Sequence, residues 1–323
     1  MARRAGALVV VVLVAYGAVR VLGSVIGGDP ETIADGGVES PAGSASSTRA
    51  SSSASIESGS VAATAATPTE VVATDPEVDT TPPSTAAPST SEPYEGAPDA
   101  EHPATVYIVG DSDAGTFGPY LEVLLDETGI VRTELEYKVS SGLSRPDFFN
   151  WPEQFRDRLP AVDPDIVVVT FGGNDAQGIA EVDGEFILHD PVGERKEWSA
   201  EYTRRAGEVM DLLAEDGRTV IWVGIPNDDN PEVTARMRVQ DQAAKAAAAT
   251  RPEIVFVDTW ARFSGRDGGW AEYVIDPRDR EGKDVRADDG FHLNEVGAEI
   301  LALDIATIIN ADLRNRGGQP LRF

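Results

Sequence analysis

From residue 104 onward, short hydrophobic runs rich in Val, Ile and Thr alternate with longer stretches whose apolar residues recur at helical spacing. Strand patterns cover 104–109, 133–139, 165–171, 219–223 and 254–258. Helical patterns lie between and after them. Phe117, Leu121, Leu124 and Leu125 share one face of a helix that ends near Gly129. Further helices cover 199–215 and 232–249, and a hairpin is expected around Gly184. Val296, Ile300, Leu303, Ile305 and Ile308 make the apolar stripe of a last helix. Strand–helix alternation is the signature of βαβ units and a mostly parallel sheet. The expected fold is α/β, a three-layer flavodoxin-like sandwich with a five-stranded parallel sheet.

Composition divides the rest of the chain. Arg3 and Arg4 precede a run from Ala5 to Ile26 that is apolar except for Tyr16, Arg20 and Ser24. At about 1.5 Å per residue such a run spans roughly 33 Å, enough for a hydrocarbon core of about 30 Å. Residues 1–27 are therefore expected to be an N-terminal membrane anchor. The alternative is a cleaved signal peptide with Ala15-Tyr16-Gly17 as its small-x-small site. Residues 28–103 are dominated by Ser, Thr, Ala, Pro, Gly and acids. They cannot bury enough apolar surface to offset their ordering entropy, so a disordered linker is expected. Residues 104–323 suit one compact domain.

That domain holds 42 of the 55 acidic residues and 23 of the 27 Lys and Arg, a net charge of −19. This argues against nucleic acid and anionic lipid headgroups as partners. The absence of cysteine excludes thiol catalysis and thiolate metal sites.

Three motifs interrupt the pattern where strands stop or the last helix begins: Gly110-Asp111-Ser112, Gly172-Gly173-Asn174-Asp175 and Asp289-Gly290-Phe291-His292. Open α/β sheets carry their chemistry at the carboxyl ends of strands, so these side chains would meet on one rim. Ser112, at a strand-to-helix turn, would lie in the partial positive charge of a helix N-terminus. The competing reading is a serine N-cap. A serine nucleophile needs a base, and three histidines are on offer. His102 falls in the expected linker and His189 in a polar insertion. His292 stands three residues after Asp289, a spacing that lets the carboxylate hold one ring nitrogen while the other faces the serine. Asp289-x-x-His292 could equally be a capping turn. The amide of Asn174 could donate to an oxyanion, and Gly142 could present its N–H to the same oxygen. Each could also be a plain turn residue.

Together, Gly110-Asp111-Ser112, Gly142, Gly173-Asn174-Asp175 and Asp289-x-x-His292 resemble the four blocks of the SGNH (GDSL-type) hydrolases, over most of residues 104–314. The stretch from Ser141 to Trp151 resembles an uncharacterised membrane-tethered subgroup. The resemblance implies a Ser–His–Asp triad on a flavodoxin-like sheet: Ser112 as nucleophile, His292 as base and Asp289 as its orienter. It also implies an oxyanion hole built from the Ser112 N–H, the Gly142 N–H and the Asn174 amide. Asp113 stands where Leu is commonest, which leaves the nucleophile intact and weakens a lipid-type substrate.

The sequence therefore leads to an expected serine esterase that acts on a small acyl ester, an O-acetyl group first, or on an O-acylated glycan of the cell envelope. No metal or organic cofactor is expected, and the domain would be extracytoplasmic, touching the membrane only through its N-terminal segment. The alternatives are an O-acyltransferase onto an envelope polysaccharide and a non-catalytic glycan-binding module. Phe148, Phe149 and Trp151 would floor a pocket or pack beneath a loop. Asn227-Asp228-Asp229-Asn230 reads as a helix-capping turn rather than a calcium loop, and Asp288 as a solvated neighbour of Asp289.

Overall fold

A computed structural model describes residues 96–323. The expected anchor, and the expected linker as far as residue 95, lie outside the described residues. Among the described residues no helix is long and apolar enough to cross a membrane.

The elements run β1 (Ala104–Gly110), α1 (Ser112–Asp126), β2 (Val131–Tyr137), α2 (Trp151–Val162) and β3 (Ile166–Thr170). A small hairpin follows, β4 (Ile179–Ala180) with β5 (Phe186–Leu188). The chain then forms α3 (Arg195–Ala214), β6 (Thr219–Val223), α4 (Pro231–Ala249), β7 (Ile254–Val257) and the short α5 (Thr259–Arg262). A second hairpin, β8 (Tyr273–Ile275) with β9 (Gly282–Asp284), precedes the last helix, α6 (Glu295–Asn315). Five strands pair in parallel in the order β2-β1-β3-β6-β7. This is the doubly wound five-stranded sheet expected from the alternation.

The strands read as near-continuous apolar runs because both faces of the sheet are covered. Successive side chains point to opposite faces. Val106, Ile108, Val168 and Ile221 therefore pack against α1 and α6, and Tyr107, Val109, Val167, Val169 and Trp222 against α2, α3 and α4. The sheet changes winding direction between β1 and β3. From β1 the chain leaves through α1 toward β2, and from β3 it leaves through α3 toward β6. Such a switch point opens a crevice at the strand carboxyl ends. The first two motifs sit there, one after each of these strands.

Three differences from the expected elements have physical causes. The second strand begins and ends two residues earlier, since Val131 pairs with Ala104 and Tyr137 with Gly110. Helix α2 was not expected at all. Pro152 and Pro160 mask it, yet Pro is tolerated in a first turn, and the Asn150 side chain accepts from the Glu153 N–H as an N-cap. Its buried face carries Trp151, Phe155, Leu159 and Val162. Burial of a Phe or Leu of this kind is worth about 1.5–3 kcal/mol each, so the helix is held by packing. Finally, the buried face of α6 is centred on Leu301, Ala302, Ile305, Ile309 and Leu313. Ile300 and Ile305 of the expected stripe are buried, whereas Val296, Leu303 and Ile308 are only partly so.

Candidate active site

Ser112 is the first residue of α1, and the N-cap is not Ser112 but Asp111, whose side chain accepts from the Asp113 N–H. The serine hydroxyl is thus released from capping. Its Oγ lies 3.0 Å from His292 Nε2. On the far side of the ring, Nδ1 lies 2.6 Å from Asp289 Oδ2. An ionised carboxylate can only accept, so Nδ1 carries a ring proton, and in the neutral ring Nε2 can then accept from the Ser112 hydroxyl.

Asp289 stands at a tight turn just ahead of α6. Its Oδ1 accepts from the N–H groups of Phe291 and His292, both at 3.0 Å. Partial burial alone would raise this carboxyl. The hydrogen bonds from the His292 ring and the two backbone N–H groups outweigh it and hold the group below the usual carboxylate range. The turn itself is braced. The Trp270 indole N–H donates to Gly290 O at 2.7 Å, and the Asp229 N–H donates to the same oxygen. Asn294 caps α6 directly behind it.

The Asn174 and Gly142 side is built differently. Asn174 lies in a single 3₁₀ turn after β3, and its Nδ2 donates to Asp111 Oδ2 at 3.2 Å. Asp111, fully buried, also accepts from the Gly172 N–H at 2.6 Å. Gly142 is held against Asp175. A Cβ at Gly142 would overlap the Asp175 carboxylate, so only glycine lets the two segments approach so closely. Asp175 accepts from the N–H groups of Leu143 and Ser144, from the Ser144 hydroxyl and from the Tyr202 hydroxyl. One buried carboxylate thus ties the Gly142 loop to the Asn174 turn and to α3. Gln240 adds a further tie, donating to the carbonyls of Phe171 and Gly172.

Asp113 points inward beside Asp111. Burial, then the Asp111 and Asp289 charges, push its carboxyl well above the usual range, with Arg286 opposing. Arg286 is itself buried and commits all five of its N–H donations. They go to Ala271 O, to Asn227 O and Oδ1, to Phe263 O and to Phe291 O. It thereby links three loops, those after β6 and α5 and its own, which carries His292. With no carboxylate in a direct ion pair, burial lowers this guanidinium to about 10.

The structure thus brings Ser112, His292 and Asp289 into one chain of contacts and holds Asn174 and Gly142 on the neighbouring strand ends. His189 is exposed and stacks on Phe186, and His102 is exposed beside Asp99. Trp151 packs edge-on to Phe149 and Phe171 and donates to Ser141 Oγ beneath the loop, and with Phe149 it also lines a cavity beside Gly142. Phe148 is exposed. Asn230 caps α4 as expected, but Asn227 is buried on Arg286. Asp288 is exposed. Among the described residues no three His, Cys, Asp or Glu side chains cluster as a metal site. The sequence reading missed the bracing roles of Asp175 and Arg286. The close-approach glycine at 142 was the one available signal for Asp175.

Several solved structures are similar to this chain. A GDSL-like lipase from Bacteroides thetaiotaomicron is 15% identical, with a TM-score of 0.45, covering 67% of this chain and 92% of its own. A catalytic mutant of an acetylxylan esterase from Geobacillus stearothermophilus is 17% identical, with a TM-score of 0.41, covering 68% and 97%. The C-terminal catalytic domain of the Streptococcus pneumoniae peptidoglycan O-acetyltransferase A is 17% identical, with a TM-score of 0.40, covering 65% and 93%. No curated protein matches the chain. Residues 105–307 match the family described as protein of unknown function (DUF459), and the chain, which resembles the SGNH hydrolases, belongs to that family.

Proposed function

We propose that residues 104–323 form a serine esterase that hydrolyses a small acyl ester, an O-acetyl group first, on an extracytoplasmic substrate of the cell envelope. The observation that carries this reading is the run of contacts from Ser112 Oγ through His292 to Asp289 at 3.0 and 2.6 Å, starting at a helix N-terminus.

In the proposed reaction Ser112 Oγ attacks the acyl carbonyl carbon and its proton passes to His292 Nε2. Asp289 stabilises the imidazolium without itself becoming protonated. The Ser112 and Gly142 N–H groups and the Asn174 amide would hold the oxyanion, with the N-terminus of α1 adding its field. Collapse breaks the bond to the alcohol oxygen, which takes the proton from His292. Water then attacks the acyl-serine by the same route, freeing the acid and regenerating Ser112.

A small acyl group is favoured over a lipid chain because Asp113 stands where the hydrolases this chain resembles commonly carry Leu. The envelope location rests on the apolar N-terminal run and the linker composition. Transfer to a sugar hydroxyl instead of water uses the same groups. It remains in view because the side chains of His292 and Asp289 are 31% and 52% exposed, open enough for an acceptor alcohol.

The test is a panel of acetyl, butyryl and long-chain esters assayed with and without oligosaccharide acceptors. The expected result is turnover of the acetyl ester, falling with chain length. Turnover only with an acceptor present would establish transfer. No turnover of any ester, together with glycan binding, would leave the binding module.

A further inference from the structure

Behind the serine, two carboxyl groups crowd a single glycine. A Cβ at Gly172 would overlap Asp113 Oδ2 and come within 3.0 Å of Asp111 Oδ2. Neither acid forms an ion pair among the described residues. The nearby guanidinium of Arg286 is spent on amide and carbonyl oxygens. The two acids are nevertheless unequal. Asp111 accepts from three donors: the Gly172 N–H, the Asp113 N–H and the Asn174 amide. Asp113 Oδ2 is fully buried and accepts from none.

A buried carboxylate oxygen with no donor, next to a second ionised carboxylate, is the costliest arrangement available to this pair. One proton removes the cost. The surroundings of Asp113 favour its carrying that proton, because they offer acceptors and no donor that is already committed to it. Asp113 lines a small cavity with Thr170 and Thr259, whose hydroxyls are likewise buried without partners. The rest of that lining is largely apolar, including Phe117, Val223 and Leu301. The charged groups facing Asp113 are Asp111 at the cap of its own helix, Asp289 before α6, and Arg286 after β9. Asp175 faces Asp111 from the 3₁₀ turn.

We infer that Asp113 is a positioning residue held as a neutral acid, and that it donates to Asp111 so that the pair carries one proton and one negative charge. The charge stays on Asp111, where it orients the Asn174 amide. This part rests on the proposed role of Asn174 in the oxyanion hole. The raised carboxyl of Asp113, caused by burial and the Asp111 charge, agrees with the geometry. The pairing also gives Asp113, at a position where the related hydrolases commonly carry Leu, work that an apolar side chain cannot do.

The test is infrared spectroscopy of the intact protein at neutral pH, compared with Asp113→Asn. The expected result is a carbonyl-stretch band of a neutral carboxyl in the native protein that disappears in Asp113→Asn. No such band, or a band unchanged by the substitution, would overturn the inference without any assay of turnover. Should Asp113→Asn fail to fold, residue-assigned carbon NMR of the native side chain decides instead. A neutral Asp113 beside an ionised Asp111 is expected, and an ionised Asp113 overturns the proposal. The positioning role is read by kinetics on the short-chain ester. Asp113→Ala should lower kcat about 10-fold with KM within about 2-fold, and Asp113→Asn should restore most of it. An Asp113→Asn enzyme as slow as Asp113→Ala would overturn the positioning role. Absence of all ester turnover in the native protein would instead strike the proposed function and leave the spectroscopic result standing.

Discussion

Carboxylates flank Ser112 on two sides, and they live in opposite environments. Asp289 is half-exposed, sits in a turn that points N–H groups at it, and is held below the usual carboxylate range against the effect of its partial burial. Asp111, Asp113 and Asp175 are buried, and burial raises all three despite the hydrogen bonds that Asp111 and Asp175 accept. One side keeps a charge ready to orient a histidine. On the other side, Asp111 and Asp175 serve as buried knots that tie loops from distant parts of the chain. The same residue type does both because its surroundings, not its identity, set the balance between charge and solvation.

The comparison would break first at Asp289. Asp289→Asn should keep the fold but favour the wrong histidine tautomer, lowering kcat on a short-chain ester by about 10³–10⁴-fold. Steady-state kinetics with a circular-dichroism check would show it. A change below tenfold would remove Asp289 from the chemistry.

Asp175→Ala probes the buried side, and there the effect belongs to stability. Four donors on the Gly142 loop and α3 would lose their acceptor. Urea unfolding should register a loss of about 3–5 kcal/mol. A loss under about 1 kcal/mol would mean that water replaces the carboxylate easily.

Asn174→Ala lies between the two sides. It leaves the relay intact and removes one oxyanion donor, so kcat should fall by about 10²–10³-fold while KM changes little. Equal changes in kcat and affinity for a non-reacting analogue would show ground-state binding instead.

The smallest effects are in the pH dependence of stability, and their signs differ. Asp289 is lowered in the fold, so its contribution is present above the unfolded value of about 3.9 and is lost as pH falls through the folded value. Asp113 is raised, so the stability linked to it is fully present below about 3.9 and is lost as pH rises toward its folded value. Thermal melts between pH 2 and 9 should therefore show Asp289→Asn less stable than the native protein at neutral pH, converging with it only as pH falls below about 3.9. Asp113→Asn should gain on the native protein as pH rises. Parallel curves would erase the distinction between the two environments.

The sheet was largely legible because both of its faces are covered. Val106 to Val109 and Ile166 to Val169 stand out as unbroken apolar runs, and Gly or Asp marks where each stops. Ser112, Asn174, Asp289 and His292 were legible because turns at strand ends leave compact motifs. Helix α2 was not, since Pro152 and Pro160 read as breakers and the helix that carries the Trp151–Phe155–Leu159 stripe is only twelve residues long. Asp175 and Arg286 were illegible for another reason. Their partners are mainly backbone groups far away in sequence, such as the Leu143 N–H and the Asn227 carbonyl, and no side-chain pattern marks those.

Labelling with a fluorophosphonate, followed by peptide mass mapping, measures the central claim most directly, because only an activated nucleophile reacts. The account expects a single adduct on Ser112 that is absent in Ser112→Ala and strongly slowed in His292→Ala. An unlabelled native protein, an adduct on another residue, or labelling that His292→Ala leaves unchanged would contradict it.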